Sequence, residues 1–290
     1  MQEKSRTNSW LTIFSPLLVH FGISFIASMA VSAVIAGTMA PDMINSKINT
    51  ADMVMQLSNE MMKYTAVLTI VTALFSLPVF GWMFYRDQKK RRQFGALKRE
   101  KAKIWMYTGI IVLGAAACLV LNNLITLSNL AFYSEGYAKA SEALYSIGFP
   151  LQLLGLGLIV PITEELLFRG LIYNRLLSLM TQKKAMLWGA LIFAAYHGNL
   201  VQALYGGILG YLLVYLYEKY GSLKAPIIAH IVLNMTSLII TEYKGFTWMF
   251  KVPMRVGIIT VVCASLSATM FVLIQRIEGN NTSDNSELTL

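Results

Sequence analysis

Apolar residues dominate this chain in long blocks, and polar residues gather between the blocks. Eight blocks read as candidate membrane spans: Ile13–Ala36, Thr65–Tyr85, Ile104–Leu130, Gly148 to about Phe168, Ala185–Leu200, Val201–Tyr217, Ala225–Thr241 and Val256–Gln275. A helix needs about 20 apolar residues, at about 1.5 Å rise each, to cross the hydrocarbon of a bilayer. The pattern therefore predicts an all-α fold, a polytopic transmembrane helical bundle of about eight spans. Two stretches, Pro41–Lys63 and Tyr133–Ser146, mix polar and apolar positions and read as loops or surface helices. Lys4 and Arg6 precede the first block, and small residues follow it, as in a signal peptide. That block is longer than a signal core, so it reads as an uncleaved first span.

Composition agrees. Of 290 residues, 56% are hydrophobic and 13% charged, where a soluble domain carries about a quarter charged residues. Mean hydropathy is +0.57. The net charge of +9 is concentrated, with nine Lys or Arg between Arg86 and Lys103 against only Asp87 and Glu100. Between two spans, such a loop marks the cytoplasmic side and attracts anionic lipid headgroups. Nucleic-acid binding is the competing reading, and the short, span-flanked run argues against it. Counting spans from this loop puts both termini in the cytoplasm, together with Arg169–Lys184, Lys219 and Lys224. Lys244, Lys251 and Arg255 fall outside and depart from the rule. The tail after Arg276 is rich in Asn, Ser, Glu and Asp and is expected to be disordered. The two cysteines, Cys118 and Cys263, lie inside apolar blocks and suggest no disulfide framework.

Chemistry enters where polar groups interrupt the apolar blocks. Only two of the 15 acidic residues, Glu164 and Glu165, stand within an otherwise apolar stretch. Each such residue costs about 2.5–3.5 kcal/mol at mid-bilayer. Glu165 and Arg169 are one helical turn apart and can pair. That leaves Glu164, about 100° around the helix, facing elsewhere, which points to a polar cavity. His197 closes the run LIFAAYHG, and His230 precedes Asn234 by one turn on the same face. His20, in the first span, reads as an ordinary core histidine. Pro161 can bend the helix that carries Glu164 and so adjust depths. Gly206 and Gly210 have the spacing that allows close helix packing.

Taken in order, these residues resemble the CAAX protease and bacteriocin-processing family of intramembrane peptidases, also called the Abi family. Its EExxxR motif stands at Glu164–Arg169, its FxxxH motif at Phe193–His197, and its HxxxN motif at His230–Asn234. The lead-in Tyr220–His230 is also similar to the family's. The likeness covers about residues 148–241, which gives three regions: N-terminal helices with the basic loop (1–147), the family-like catalytic core (148–241), and the last span with its tail (242–290). The resemblance implies a protease similar to type II CAAX prenyl endopeptidases, acting on a membrane-associated protein or peptide. Substrates of the CAAX, bacteriocin or signalling-peptide kind are implied equally.

Peptide hydrolysis needs an activated water and donors for the tetrahedral oxyanion. Glu164 suits proton removal from water, with His197 orienting that water. His230 and Asn234 suit the oxyanion, and Arg169 would hold Glu165. A zinc version stays open, with Glu164, His197 and His230 as three ligands and a water in the fourth position. No HExxH run demands zinc, and the family is described both ways. Two non-enzymatic readings stand beside these: an immunity or scaffold protein of the same fold, and a transporter using buried carboxylates and imidazoles as a relay.

Overall fold

The apolar blocks fold as helices and, among the described residues, no strand forms. The computed structural model describes residues 2–46, 49–93, 102–130 and 132–277. Residues 94–101 of the basic loop, and everything after Ile277, lie outside them. We number the helices α1 (Gln2–Ser46), α2 (Thr50–Lys63), α3 (Thr65–Gln93), α4 (Thr108–Leu127), α5 (Glu135–Tyr145), α6 (Phe149–Leu176), α7 (Gln182–Tyr196), α8 (Leu200–Tyr220), α9 (Lys224–Glu242), α10 (Gly245–Phe250) and α11 (Pro253–Gln275). The two mixed stretches become α2 and α5, each started by a side-chain cap. Asn49 accepts from the Asp52 amide, and Ser134 from the Tyr137 amide.

Seven of these helices are long and apolar enough to cross a membrane: α1, α3, α4, α6, α8, α9 and α11. Many of their large side chains point outward, among them Phe25, Ile26, Phe75, Trp82 and Val261. Such faces are costly in water and neutral against lipid tails. The chain is a multi-pass membrane protein. The stretch expected as a span at Ala185–Leu200 is different. It forms α7, of 15 residues, which rises about 22 Å and is shorter than the hydrocarbon core. The helix stops at His197, where Gly198 takes a left-handed φ of +74° and Asn199 caps α8 through the Gln202 amide. Helices α7 and α8 therefore form a tight hairpin rather than two separate crossings.

Helix α6 occupies the centre. It packs on α3 and on α9, and glycines permit both approaches: a Cβ at Gly155 would stand 2.1 Å from Ile70 Cδ1, and one at Gly157 would stand 2.8 Å from Met235 Sδ. A buried apolar cluster, with Phe80, Phe168, Tyr173 and Phe193 among its largest members, joins α1, α3, α6, α7 and α8. The far ends of α3 and α6 are clamped together, Asp87 to Arg175 at 2.7 Å and Arg91 to the Asn174 side chain at 2.8 Å. These contacts fix the height of α6 against its neighbours, and so the height of the carboxylates it carries.

Candidate active site

The turn Val160–Glu165 of α6 is α-helical, and π-helical segments flank it at Gln152–Ile159 and Leu166–Tyr173. Wider turns of this kind re-aim side chains and recur at functional sites. Pro161 adds to the irregularity, since it supplies no amide hydrogen. Thr163 pins the turn to α3, its hydroxyl reaching Ala73 O at 3.3 Å and Ile159 O at 2.9 Å.

The two adjacent carboxylates part here. Glu165 is fully buried, and its Oε1 accepts from Arg169 Nη1 at 2.7 Å and from His230 Nδ1 at 2.8 Å. Arg169 also donates to Gly210 O at 3.0 Å and lies 4.5 Å over the Phe193 ring. Glu165 thus does two things where the spacing foresaw one: it pairs with Arg169, and it orients the imidazole of His230. A carboxylate only accepts, so Nδ1 carries the hydrogen and Nε2 is turned outward. That Nε2 lies 3.6 Å from Glu164 Oε2. Glu164 and His230 are accordingly neighbours.

Phe193 is the ring around which the motifs gather. His197 lies 4.8 Å from it and His230 lies 5.9 Å from it, centroid to centroid, so the imidazoles are no further apart than those distances laid end to end. His197 is half-buried at the end of α7, with Nδ1 donating to Phe193 O at 2.8 Å. Its Nε2 makes no hydrogen bond within the described residues. Asn234 is placed less directly. Its amide donates to Leu156 O at 3.0 Å, bridging α9 to α6. One N–H of its amide therefore remains for the oxyanion role expected of it.

A cavity of about 380 Å³ opens beside Glu164, between α1, α2, α3, α6 and α7. Of the four expected catalytic residues, Glu164 is the one that lines it. Two further residues reach it: His20, read from the sequence as a plain core residue, and Tyr196, which the sequence reading passed over. His20 is buried as expected, but it is hydrogen-bonded to Ser76 at 2.9 Å and to Tyr196 at 2.7 Å. A signal existed: His20, Ser24 and Ser28 recur every four residues, a polar stripe on one face of an apolar helix.

The donor set bears on zinc. Among the described residues, no three His, Cys, Asp or Glu side chains are grouped to hold an ion. His230 and His197 each use Nδ1 for a hydrogen bond, to Glu165 and to Phe193 O, which leaves Nε2 as in metal-ligating histidines, but the Phe193 ring stands against both imidazoles. As placed, Glu164, His197 and His230 are not gathered around one point.

Comparison with known proteins follows the same residues. Residues 146–236 match the Rce1-like family of type II CAAX prenyl endopeptidases. A membrane peptidase candidate of Bacillus subtilis (strain 168), YdiL, is 27% identical over 111 residues, which are 37% of this chain and 46% of that protein. The chain thus spans about half the length of the curated relative it matches. No solved structure matches it.

Proposed function

We propose that this chain, of which residues 146–236 match the Rce1-like family of type II CAAX prenyl endopeptidases, is an intramembrane endopeptidase that hydrolyses a peptide bond of a membrane-associated protein or peptide. One observation carries the proposal. A half-buried carboxylate near the middle of a span, Glu164, lies 3.6 Å from an imidazole nitrogen and opens onto a cavity large enough for a short peptide segment.

The chemistry follows from the atoms available. Glu164 takes a proton from water, and the hydroxide attacks the scissile carbonyl carbon. His197, its Nδ1 held by Phe193 O, presents Nε2 to orient that water. Charge then develops on the carbonyl oxygen. The remaining N–H of Asn234 donates to it, and so does His230 Nε2 in the form of the ring that carries a hydrogen on both nitrogens. Collapse of the tetrahedral intermediate breaks the C–N bond. The proton held by Glu164 passes to the leaving amine, which returns the site to its starting state. Arg169 and Glu165 act through His230, fixing the nitrogen that faces the reaction.

The test is mass spectrometry of membrane and secreted peptides from cells carrying the intact protein or Glu164→Gln. Loss of a positioned general base removes about 10²–10⁴-fold in rate, so an uncut precursor should accumulate in the variant. Identical peptide profiles, with the cellular phenotype retained, would overturn the reading in favour of a binding or scaffold role. Zinc chelators should leave cleavage intact. Loss on chelation and recovery with added zinc would replace the glutamate mechanism with a metal-activated one. Of the remaining partners, anionic lipids at Arg86–Lys103 fit the exposed Lys89, Lys90 and Arg92 at the end of α3.

A further inference from the structure

We propose that α1, α2 and α3, which lie outside the residues matched to the family, build the cleft that binds an uncharged stretch of the peptide next to the scissile bond, with Tyr196 contacting that stretch and His20 holding Tyr196 in place. This rests on the peptidase reading above and adds to it where the substrate lies and what it must be made of.

The argument begins with the walls. The 380 Å³ cavity is faced by His20, Ser24 and Ser28 of α1, by Thr65 and Thr72 of α3, and by Glu164 and Tyr196 at its inner end. Volumes of this size suit small ligands or a few residues of chain. Glu164 is the one Asp, Glu, Lys or Arg among the lining residues. A Lys or Glu side chain entering there would lose its hydration and meet no fixed counter-charge beyond the catalytic carboxylate. An amide backbone would fare differently, because hydroxyls both donate and accept. Some of these hydroxyls are committed: Thr69 bonds Thr65 O, and Thr163 bonds Ala73 O. Ser24 and Ser28 make no hydrogen bond within the described residues and face the cavity. They stand one helical turn apart, about 6 Å, which is the reach of about two residues of extended chain.

Tyr196 connects this wall to the chemistry. It is the last residue of α7, directly before His197. Its hydroxyl is 2.7 Å from His20 Nε2, and the other nitrogen of His20 is 2.9 Å from Ser76 Oγ. Both imidazole nitrogens are therefore occupied, which fits His20 for holding rather than for proton transfer. The Tyr196 ring is fixed edge-on against Phe168 at 5.2 Å. Whichever partner supplies the proton to the His20–Tyr196 bond, the phenol keeps one more hydrogen bond to make, and the cavity beside Glu164 is where it can be made. A backbone amide of the bound peptide satisfies it.

The experiment uses the full-length protein in lipid nanodiscs. The probes are short acetylated and amidated peptides that differ only in carrying Ser, Lys or Glu at one position, with products read by mass spectrometry. On one side of the cut, Lys and Glu should reduce kcat/KM by about a hundredfold relative to Ser, about 2.7 kcal/mol. Ser24→Asp or Ser28→Asp should recover Lys at a single position by tenfold or more, with Glu still rejected. Tyr196→Phe should raise KM about tenfold while kcat changes by less than about twofold, the loss of one hydrogen bond. His20→Leu should do the same, and His20→Gln, whose amide can hold both Ser76 and Tyr196, should return KM toward the starting value. Peptides cut with no charge discrimination on either side, or a Tyr196→Phe effect confined to kcat, would overturn the cleft. Failure of the peptidase reading looks different: intact protein and Glu164→Gln would then treat every peptide alike, and this inference would fall with it.

Discussion

Glu164 and Glu165 are adjacent in sequence and opposite in circumstance. Glu165 has no exposure, and it holds an arginine and a histidine through one oxygen, while its Oε2 has no partner among the described residues. Removing one member of a buried pair strands the other charge and costs about 3–5 kcal/mol. Arg169→Met should therefore lower unfolding stability by about that amount in detergent, read by thermal or denaturant melts. The double variant Glu165→Leu with Arg169→Met should cost less than the sum of the two single changes, because neither charge is then left alone. Glu164→Gln should behave in the reverse way. Its side chain opens onto the cavity and makes no hydrogen bond below 3.5 Å within the described residues, so stability should hold while cleavage is lost. The contrast separates a carboxylate that orients from one proposed to react.

Among the elements, the α7–α8 hairpin decides the most. Gly210 lets the two helices touch: a Cβ there would sit 3.1 Å from Phe193 Cδ1 and 3.2 Å from the Ala190 Cα. Its carbonyl also accepts from Arg169. Gly210→Val should push α8 off α7 and disturb Phe193, Arg169 and through them His230. A loss of about 1–3 kcal/mol is expected, as for other overpacked contacts, with activity falling further than stability. Paired measurements of melting temperature and peptide cleavage check this. Gly206 is less constrained, since a Cβ there would meet His197 Nδ1 at an ordinary 3.5 Å. The GxxxG spacing thus contains one glycine that the packing requires and one that it tolerates.

At the scale of the molecule, α7 being shorter than a span does not change the parity of crossings. Helices α7 and α8 form a hairpin, so the chain entering at Gln182 leaves at Tyr220 on the same side. The Lys- and Arg-rich end of α3 is expected to face the cytoplasm, and counted from there the same even parity predicts both termini in the cytoplasm. Reporter fusions at either end should be active only as cytoplasmic reporters. A periplasmic or extracellular signal from one terminus would require an odd number of crossings. The ends of α3 and α6, clamped through Asp87–Arg175 and Arg91–Asn174, lie on one side whichever way the chain is oriented.

How much of this could be read from the residues depends on the kind of interaction. Seven spans were legible because burying a backbone in lipid demands long apolar helices, and that demand is local and written in consecutive residues. The candidate polar residues were legible for the complementary reason, that Glu164, Glu165, His197 and His230 are costly where they stand. What they touch was not legible. The bond from Glu165 to His230, the gathering of both imidazoles on Phe193, the turn of Asn234 toward Leu156, and the reach of His20 across to Tyr196 all join residues far apart in the chain. Such pairings depend on how helices rotate and at what height they meet. Those quantities are set by glycine contacts, π-helical turns and end clamps acting together, and no single stretch of sequence contains them.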